Sequence, residues 1–214
     1  MRQVSSKSAV ISMSKPAQSR PLREVSLASQ SPRRKQLLEG LGLRVVVVPS
    51  AYVEESNTFE TLDGAEIALR HALGKAVQAA QNGPPILIAA DTVVQIDGEL
   101  LGKPRDAHEA AGMLRKLSGR EHRVYTGFAV VDRAEKACES GVESTVVHFA
   151  TLSDTDITAY VATGDPLDKA GAYGIQGRAG MLVSSIAGDF YTVMGLPLAR
   201  VGTALRDLGY DVWA

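Results

Sequence analysis

The chain has 214 residues, 45% of them hydrophobic and 22% charged, a composition that fits a soluble globular protein with one substantial core and room for two lobes. A net charge of −1 with 5% aromatics excludes a broad nucleic-acid footprint, and no apolar run reaches the length of a membrane span. The single cysteine, Cys138, excludes an intrachain disulfide and a thiolate-rich metal site and points to a reducing, cytoplasmic setting.

Residues 1–23 are rich in serine and basic side chains and carry no acid. They read as a flexible extension, with a faint likeness to an organelle transit peptide, ahead of a single domain over 24–214. A strand is expected near 25–28 and a helix from Pro32, with Ser31 as N-cap and Leu37, Leu38 and Leu41 on its apolar face. Arg44 to Val48 reads as a buried strand ended by Pro49. A long helix is expected over about 61–81, with Ile67, Leu69, Ala72, Leu73, Ala76, Val77 and Ala80 as its buried stripe. Ile86–Ala90 is a continuous apolar strand running into Asp91, and Asp97-Gly98 suits a hairpin turn. Asp106 and Glu109 open a helix that Ser118-Gly119 closes. Strands over 122–132 and 142–152, a helix from Ser153 to about Thr163, a strand at 181–187 and a last helix from Pro197 complete the chain. Alternating strands and helices with hairpins make an α/β protein with a mixed sheet.

Arg33, Arg34 and Lys35 stand in the first turn of the first helix, where partial positive charge already disfavours cations. A local conflict of this kind marks a functional site, and free N–H groups with two guanidinium forks suit a polyphosphate. The competing reading is a merely exposed basic helix end. Asp91 stands at the carboxyl end of a buried strand, where open α/β sheets place ligands. It either binds a hard cation and orients water or caps a turn through its own backbone. Thr92 is either a ligand contact or an ordinary strand residue. Lys103 is pinned between Gly102 and Pro104, and Lys75 interrupts an apolar helix face, either snorkelling to solvent or reaching a phosphate. Glu54-Glu55 is a second carboxylate source or a solvated turn. Residues 168–177 are Gly-rich, with Lys169 and Gln176 as their cation and amide. None of His71, His108, His122 and His148 shows metal-ligand spacing, and each reads as structural; His122, near a turn, is the one to watch.

In order along the chain, Leu27-Ala28-Ser29-Gln30-Ser31-Pro32-Arg33-Arg34, Ala90-Asp91-Thr92-Val93-Val94, Gly102-Lys103-Pro104, Leu117-Ser118-Gly119 with His122, Thr126-Gly127, residues 168–177 and Gly195-Leu196-Pro197-Leu198 resemble the Maf family of nucleoside triphosphate pyrophosphatases. The resemblance covers about 24–209 and implies a mixed twisted sheet in two lobes around a deep cleft, related to inosine-triphosphate pyrophosphatases. It implies cleavage between the α- and β-phosphates with Mg²⁺ or Mn²⁺. Asp91 then looks like the proton acceptor beside the metal, with Glu55 as a second metal ligand. Ser29, Arg33, Arg34, Lys75, Lys103 and Lys169 look like phosphate ligands. Arg33, Thr92 and Gln176 hold the positions where members differ in nucleotide preference and look like the dTTP/UTP branch, with modified pyrimidine triphosphates as further substrates in a pool-cleaning role. A homodimer is also implied. The rival is a nucleotide-binding regulator of septum formation, which would keep the basic site but not need the acid.

Overall fold

The structure, a computed structural model, describes residues 20–54 and 63–213. In chain order the elements are β1 (Arg20–Pro21), β2 (Glu24–Leu27), α1 (Pro32–Gly40), β3 (Arg44–Val47), α2 (Gly64–Val77), β4 (Ile86–Ile96), β5 (Glu99–Leu101), α3 (Ala107–Leu117), β6 (Glu121–Asp132), β7 (Ala137–Phe149) and α4 (Asp154–Val161). Three 3₁₀ turns over 165–181 lead to β8 (Val183–Ala187), α5 (Phe190–Met194), α6 (Leu198–Asp207) and β9 (Tyr210–Asp211). The main sheet runs β3-β2-β4-β6-β7-β8, with β5 also paired to β4. β2 lies parallel to β3 and β4, and the other pairs are antiparallel, so the sheet is mixed as expected.

β4 organises the molecule. Its first half pairs with β2 and its second half with β5, and each half anchors a separate apolar cluster. One cluster joins β2, β4 and β6 to α1 and α6; the other joins β4, β5 and β7 to α3, α4 and the 3₁₀ segment. The strand's alternation also sorts its two faces. Ile86, Ile88 and Ala90 pack toward α1 and α6, whereas Leu87 and Ala89 pack with Ala76 of α2. A strand covered on both faces must be apolar at every position, which is why Ile86–Ala90 reads as an unbroken run.

Several expected elements differ in extent. Asp91 is not at a strand end, because β4 continues through it to Ile96. β3 is an edge strand with half-exposed valines, not a buried one, since only β2 flanks it. α2 stops at Val77, well before Gly83. It starts at Gly64 behind a capping box in which Asp63 accepts from the Glu66 N–H at 2.9 Å and Glu66 accepts from the Asp63 N–H. Such a cap stabilises a helix by about 1 kcal/mol. β6 and β7 are joined by a short connection over 133–136, shorter than the expected polar segment. The Asp132 carboxylate closes it by accepting from the Ala134 and Glu135 N–H groups.

Among the described residues, strand pairing already begins at Arg20, ahead of the expected boundary at 24. β1 pairs in parallel with β9, Leu22 is buried, and Arg20 stacks 4.3 Å above the Tyr210 ring while its guanidinium meets Asp132. The Tyr210 hydroxyl donates to the same carboxylate at 2.7 Å. Residues 1–19 of the expected extension lie outside the described residues. No helix among the described residues is long and apolar enough to cross a membrane.

Candidate active site

A cleft of about 890 Å³ opens beside the middle of β4. β2 pairs with β4 only up to Ile88, and β5 pairs with it only from Val94 onward. Between them Ala89–Val93 is flanked by no described strand on that side, and Asp91, Thr92 and Val93 of this stretch line the cleft. The tip of β2, the N-terminus of α1, the Gly102-Lys103 loop and the Gly-rich 168–176 segment supply the walls.

Asp91 falls in the β4 row that faces α2, and it is buried. His71 and Lys75 stand one turn apart on α2 and both reach it. The His71 Nδ1–H donates to Oδ2 at 3.2 Å, and the Lys75 ammonium donates to Oδ1 at 2.5 Å. Lys75 also pairs with Glu54 Oε1 at 2.7 Å. Burial alone would raise the Asp91 carboxyl, but the hydrogen bond from His71 and the charges of Lys75 and Arg34 outweigh it and hold the carboxyl below its usual range. Asp91 is therefore a fixed carboxylate.

Glycine lets α2 come this close. Gly127 of β6 is the register partner of Asp91, and a Cβ there would lie 2.2 Å from the Ala68 carbonyl oxygen. Gly74 similarly leaves room for the Tyr52 ring, which tilts against His71 with centroids 5.7 Å apart.

Thr92 falls in the opposite row, toward α1. Its hydroxyl accepts from Arg34 Nη2 at 3.0 Å and lies 2.9 Å from Thr126 Oγ1. Arg34 is buried and also donates through Nε to the Gly195 carbonyl at 2.7 Å and through Nη1 to Ser29 Oγ at 3.0 Å. Burial lowers its pKa, partly offset by Asp91, but a guanidinium stays charged. The expected ligands Ser29, Arg34 and Thr92 thus form one network in which Arg34 is braced and keeps only part of its fork for a substrate. Arg33 is half-buried on the cleft wall, and Lys103 and Gln176 are exposed on it.

Lys169 is tied to its own segment. It lines the cleft, but its buried ammonium is held by the Asp165 carbonyl at 2.5 Å, Asp165 Oδ1 at 2.9 Å and Asp168 Oδ1 at 2.7 Å. All three N–H donors are directed at protein oxygens, and its stem passes where Gly174 lacks a Cβ. Here the lysine pins the Gly-rich segment. His122 supports the same segment from behind: buried against Phe149 and Tyr173, its Nε2 lies 2.6 Å from the Tyr173 hydroxyl. Burial lowers its pKa to about 4, so it is neutral near pH 7.

Glu54, His71 and Asp91 each offer one ligand atom, and these atoms lie within 4.8 Å of one another. Two carboxylates and an imidazole fit a divalent ion that prefers oxygen and tolerates nitrogen. Glu55, the expected second ligand, lies outside the described residues. Sequence reasoning missed His71 by treating each histidine alone. Its spacing of four from Lys75 was the available signal, since it puts both side chains on one helix face.

Residues 24–208 match the Maf-like protein family. The chain belongs to the Maf family. The mixed α/β sheet and the cleft agree with that assignment. This Maf chain is 47% identical over 188 residues to a dTTP/UTP pyrophosphatase of Alkaliphilus oremlandii, covering 87% of this chain and 96% of the relative. A protein of the same name from Symbiobacterium thermophilum is 47% identical over 194 residues, covering 90% and 97%. One from the archaeon Methanosarcina mazei is 45% identical over 196 residues, covering 90% and 98%.

Proposed function

We propose that this Maf chain hydrolyses nucleoside triphosphates between the α- and β-phosphates, giving a nucleoside monophosphate and pyrophosphate, with dTTP and UTP as its preferred nucleotides. One observation carries the reading: a buried carboxylate, Asp91, is held by cations on the wall of a cleft large enough for a nucleotide. The curated relatives at 43–47% identity share the name dTTP/UTP pyrophosphatase, which supports the substrate class.

Arg33, Lys103 and the remaining N–H groups of Arg34 bind the triphosphate, with Ser29 beside them. Their charge counters what develops on the departing pyrophosphate. Asp91 takes the proton of the attacking water as its oxygen bonds to the α-phosphorus and the bridge to the β-phosphate breaks. Transfer of Lys75 from Asp91 to a phosphate removes one charge that holds this carboxyl low, which strengthens it as a base. Glu54 and Asp91, with His71, would hold Mg²⁺ or Mn²⁺, which polarises phosphoryl oxygens and lowers the pKa of bound water. Gln176 offers a paired donor and acceptor to a pyrimidine edge, Arg33 shapes the phosphate end, and Thr92 acts through its bond to Arg34.

Hydrolysis of dTTP in ¹⁸O-labelled water tests the bond cleaved. Attack at the α-phosphorus puts the label in dTMP. Label in pyrophosphate, or release of orthophosphate alone, would overturn the reading. The regulator reading gains no support, because the acid a regulator would not need is buried and braced here.

A further inference from the structure

Lys75 holds an unusual place for a phosphate ligand. Its ammonium bridges Glu54 Oε1 at 2.7 Å and Asp91 Oδ1 at 2.5 Å, contacts of charge-assisted length to two of the three side chains that could hold a divalent ion. The third, His71, contacts the other oxygen of Asp91 and leaves Oδ1 to the lysine. One oxygen of each of these two carboxylates is therefore already engaged by a cation belonging to the chain. Only about a sixth of the Lys75 side chain is exposed, so its position follows from packing along α2 and not from a free surface arm.

We propose that Lys75 and a divalent metal compete for the same pair of carboxylates, so that the ammonium is a built-in counterion that metal binding must expel into the cleft. The inference rests on the reading that Glu54 and Asp91 hold the metal. Two cations bridging the same pair of carboxylates lie close enough to repel, so each weakens the binding of the other. An ammonium displaced without a new partner would leave a desolvated charge in a partly closed cleft. A triphosphate supplies that partner. Metal binding is thereby weak until nucleotide arrives, and the two bind cooperatively, with Lys75 moving from carboxylate to phosphate.

The competition reverses the usual sign for a binding-site lysine. Lys75→Met should slow dTTP hydrolysis yet bind Mn²⁺ more tightly in the absence of nucleotide, by roughly tenfold to a hundredfold, the scale of one charge-assisted hydrogen bond. Loss of any nearby positive charge also favours cation binding, so Arg33→Met is the control; it lines the same cleft but does not touch the carboxylates. Mn²⁺ titrations followed by electron paramagnetic resonance on the full chain give all three constants. Tighter binding in Lys75→Met, well beyond the gain in Arg33→Met, is the expected result. Equal gains in both variants, or no gain in Lys75→Met, would overturn the competition. If Mn²⁺ binding is instead indifferent to Asp91→Asn, the underlying metal reading fails, and with it this inference. A measurement on the unmodified protein avoids any folding defect: Mg²⁺ should speed acylation of the Lys75 amine, read by peptide mass spectrometry. Unchanged or slower labelling would contradict release of the ammonium.

Discussion

Gly127→Ala offers a test of how α2 equips the site, because the glycine does not itself line the cleft. A Cβ at that position would lie 2.2 Å from the Ala68 carbonyl oxygen, 2.3 Å from its carbon and 2.5 Å from the Leu69 nitrogen. All three are helix backbone, so no side chain can swing aside. An ordinary carbon–oxygen contact needs roughly 3.3 Å, so α2 must retreat by about 1 Å. His71 and Lys75 sit about one and two turns further along the same helix and retreat with it, which carries the His71–Asp91 contact from 3.2 Å beyond hydrogen-bond range. Misplacement by about 1 Å costs on the order of a hundredfold in rate, and the overpacking costs about 1–3 kcal/mol of stability. Steady-state pyrophosphate release and urea denaturation measure the two effects. Gly112→Ala is the control, since nothing lies within 4 Å of its Cβ in exposed α3; it should keep full activity. A Gly127→Ala enzyme with kcat/KM within about threefold of the parent would refute the idea that α2 must lie flush on β6 to supply Asp91.

Other substitutions probe single contacts. His71→Leu should lower kcat about tenfold or more with little change in KM, while His71→Asn, which keeps a donor near Nδ1, should recover much of it; equal defects in both would reduce His71 to a packing residue. Arg34→Lys should raise KM and lower stability by about 1–3 kcal/mol, because a point charge cannot serve Gly195, Ser29 and Thr92 together; unchanged KM and unfolding midpoint would contradict this. Buried His122 has its pKa lowered from 6.5 to about 4, so the folded state favours the neutral ring. The stability this confers is complete above pH 6.5 and is lost as pH falls toward 4, reaching about 3 kcal/mol at about 1.4 kcal/mol per pH unit. His122→Gln should lose about that much less than the parent over the same interval, and parallel urea profiles would contradict the assignment.

Much of the architecture was legible because local signals agreed. The run Ile86–Ala90 announced a strand covered on both faces, and Asp97-Gly98, with φ of 51° and 82°, made the turn its sequence suggested. What escaped depended on partners distant in sequence. β1 and β9 are too short to show a pattern, and their pairing is accompanied by the meeting of Arg20, Asp132 and Tyr210, which lie far apart in sequence. Val45 to Val47 looked buried because valine fits any strand, and only the pairing order reveals an edge. Within the site, the basic first turn of α1 and Asp91 stood out as local conflicts. Lys169 stood out too, and the partners of its ammonium, Asp165 and Asp168, are local neighbours that the sequence also displays. His71 carried no motif of its own, and its meaning came from the strand against which α2 packs.

Hydrolysis at the α-phosphate should depend on Asp91. Pyrophosphate and orthophosphate released from dTTP, UTP, CTP and GTP with Mg²⁺, by the parent and by Asp91→Asn, test it most directly. Pyrophosphate should be released, fastest from dTTP and UTP, and turnover should fall by at least about a thousandfold in a variant that still folds and binds nucleotide. Comparable turnover by a folded Asp91→Asn, or orthophosphate as the product, would contradict it.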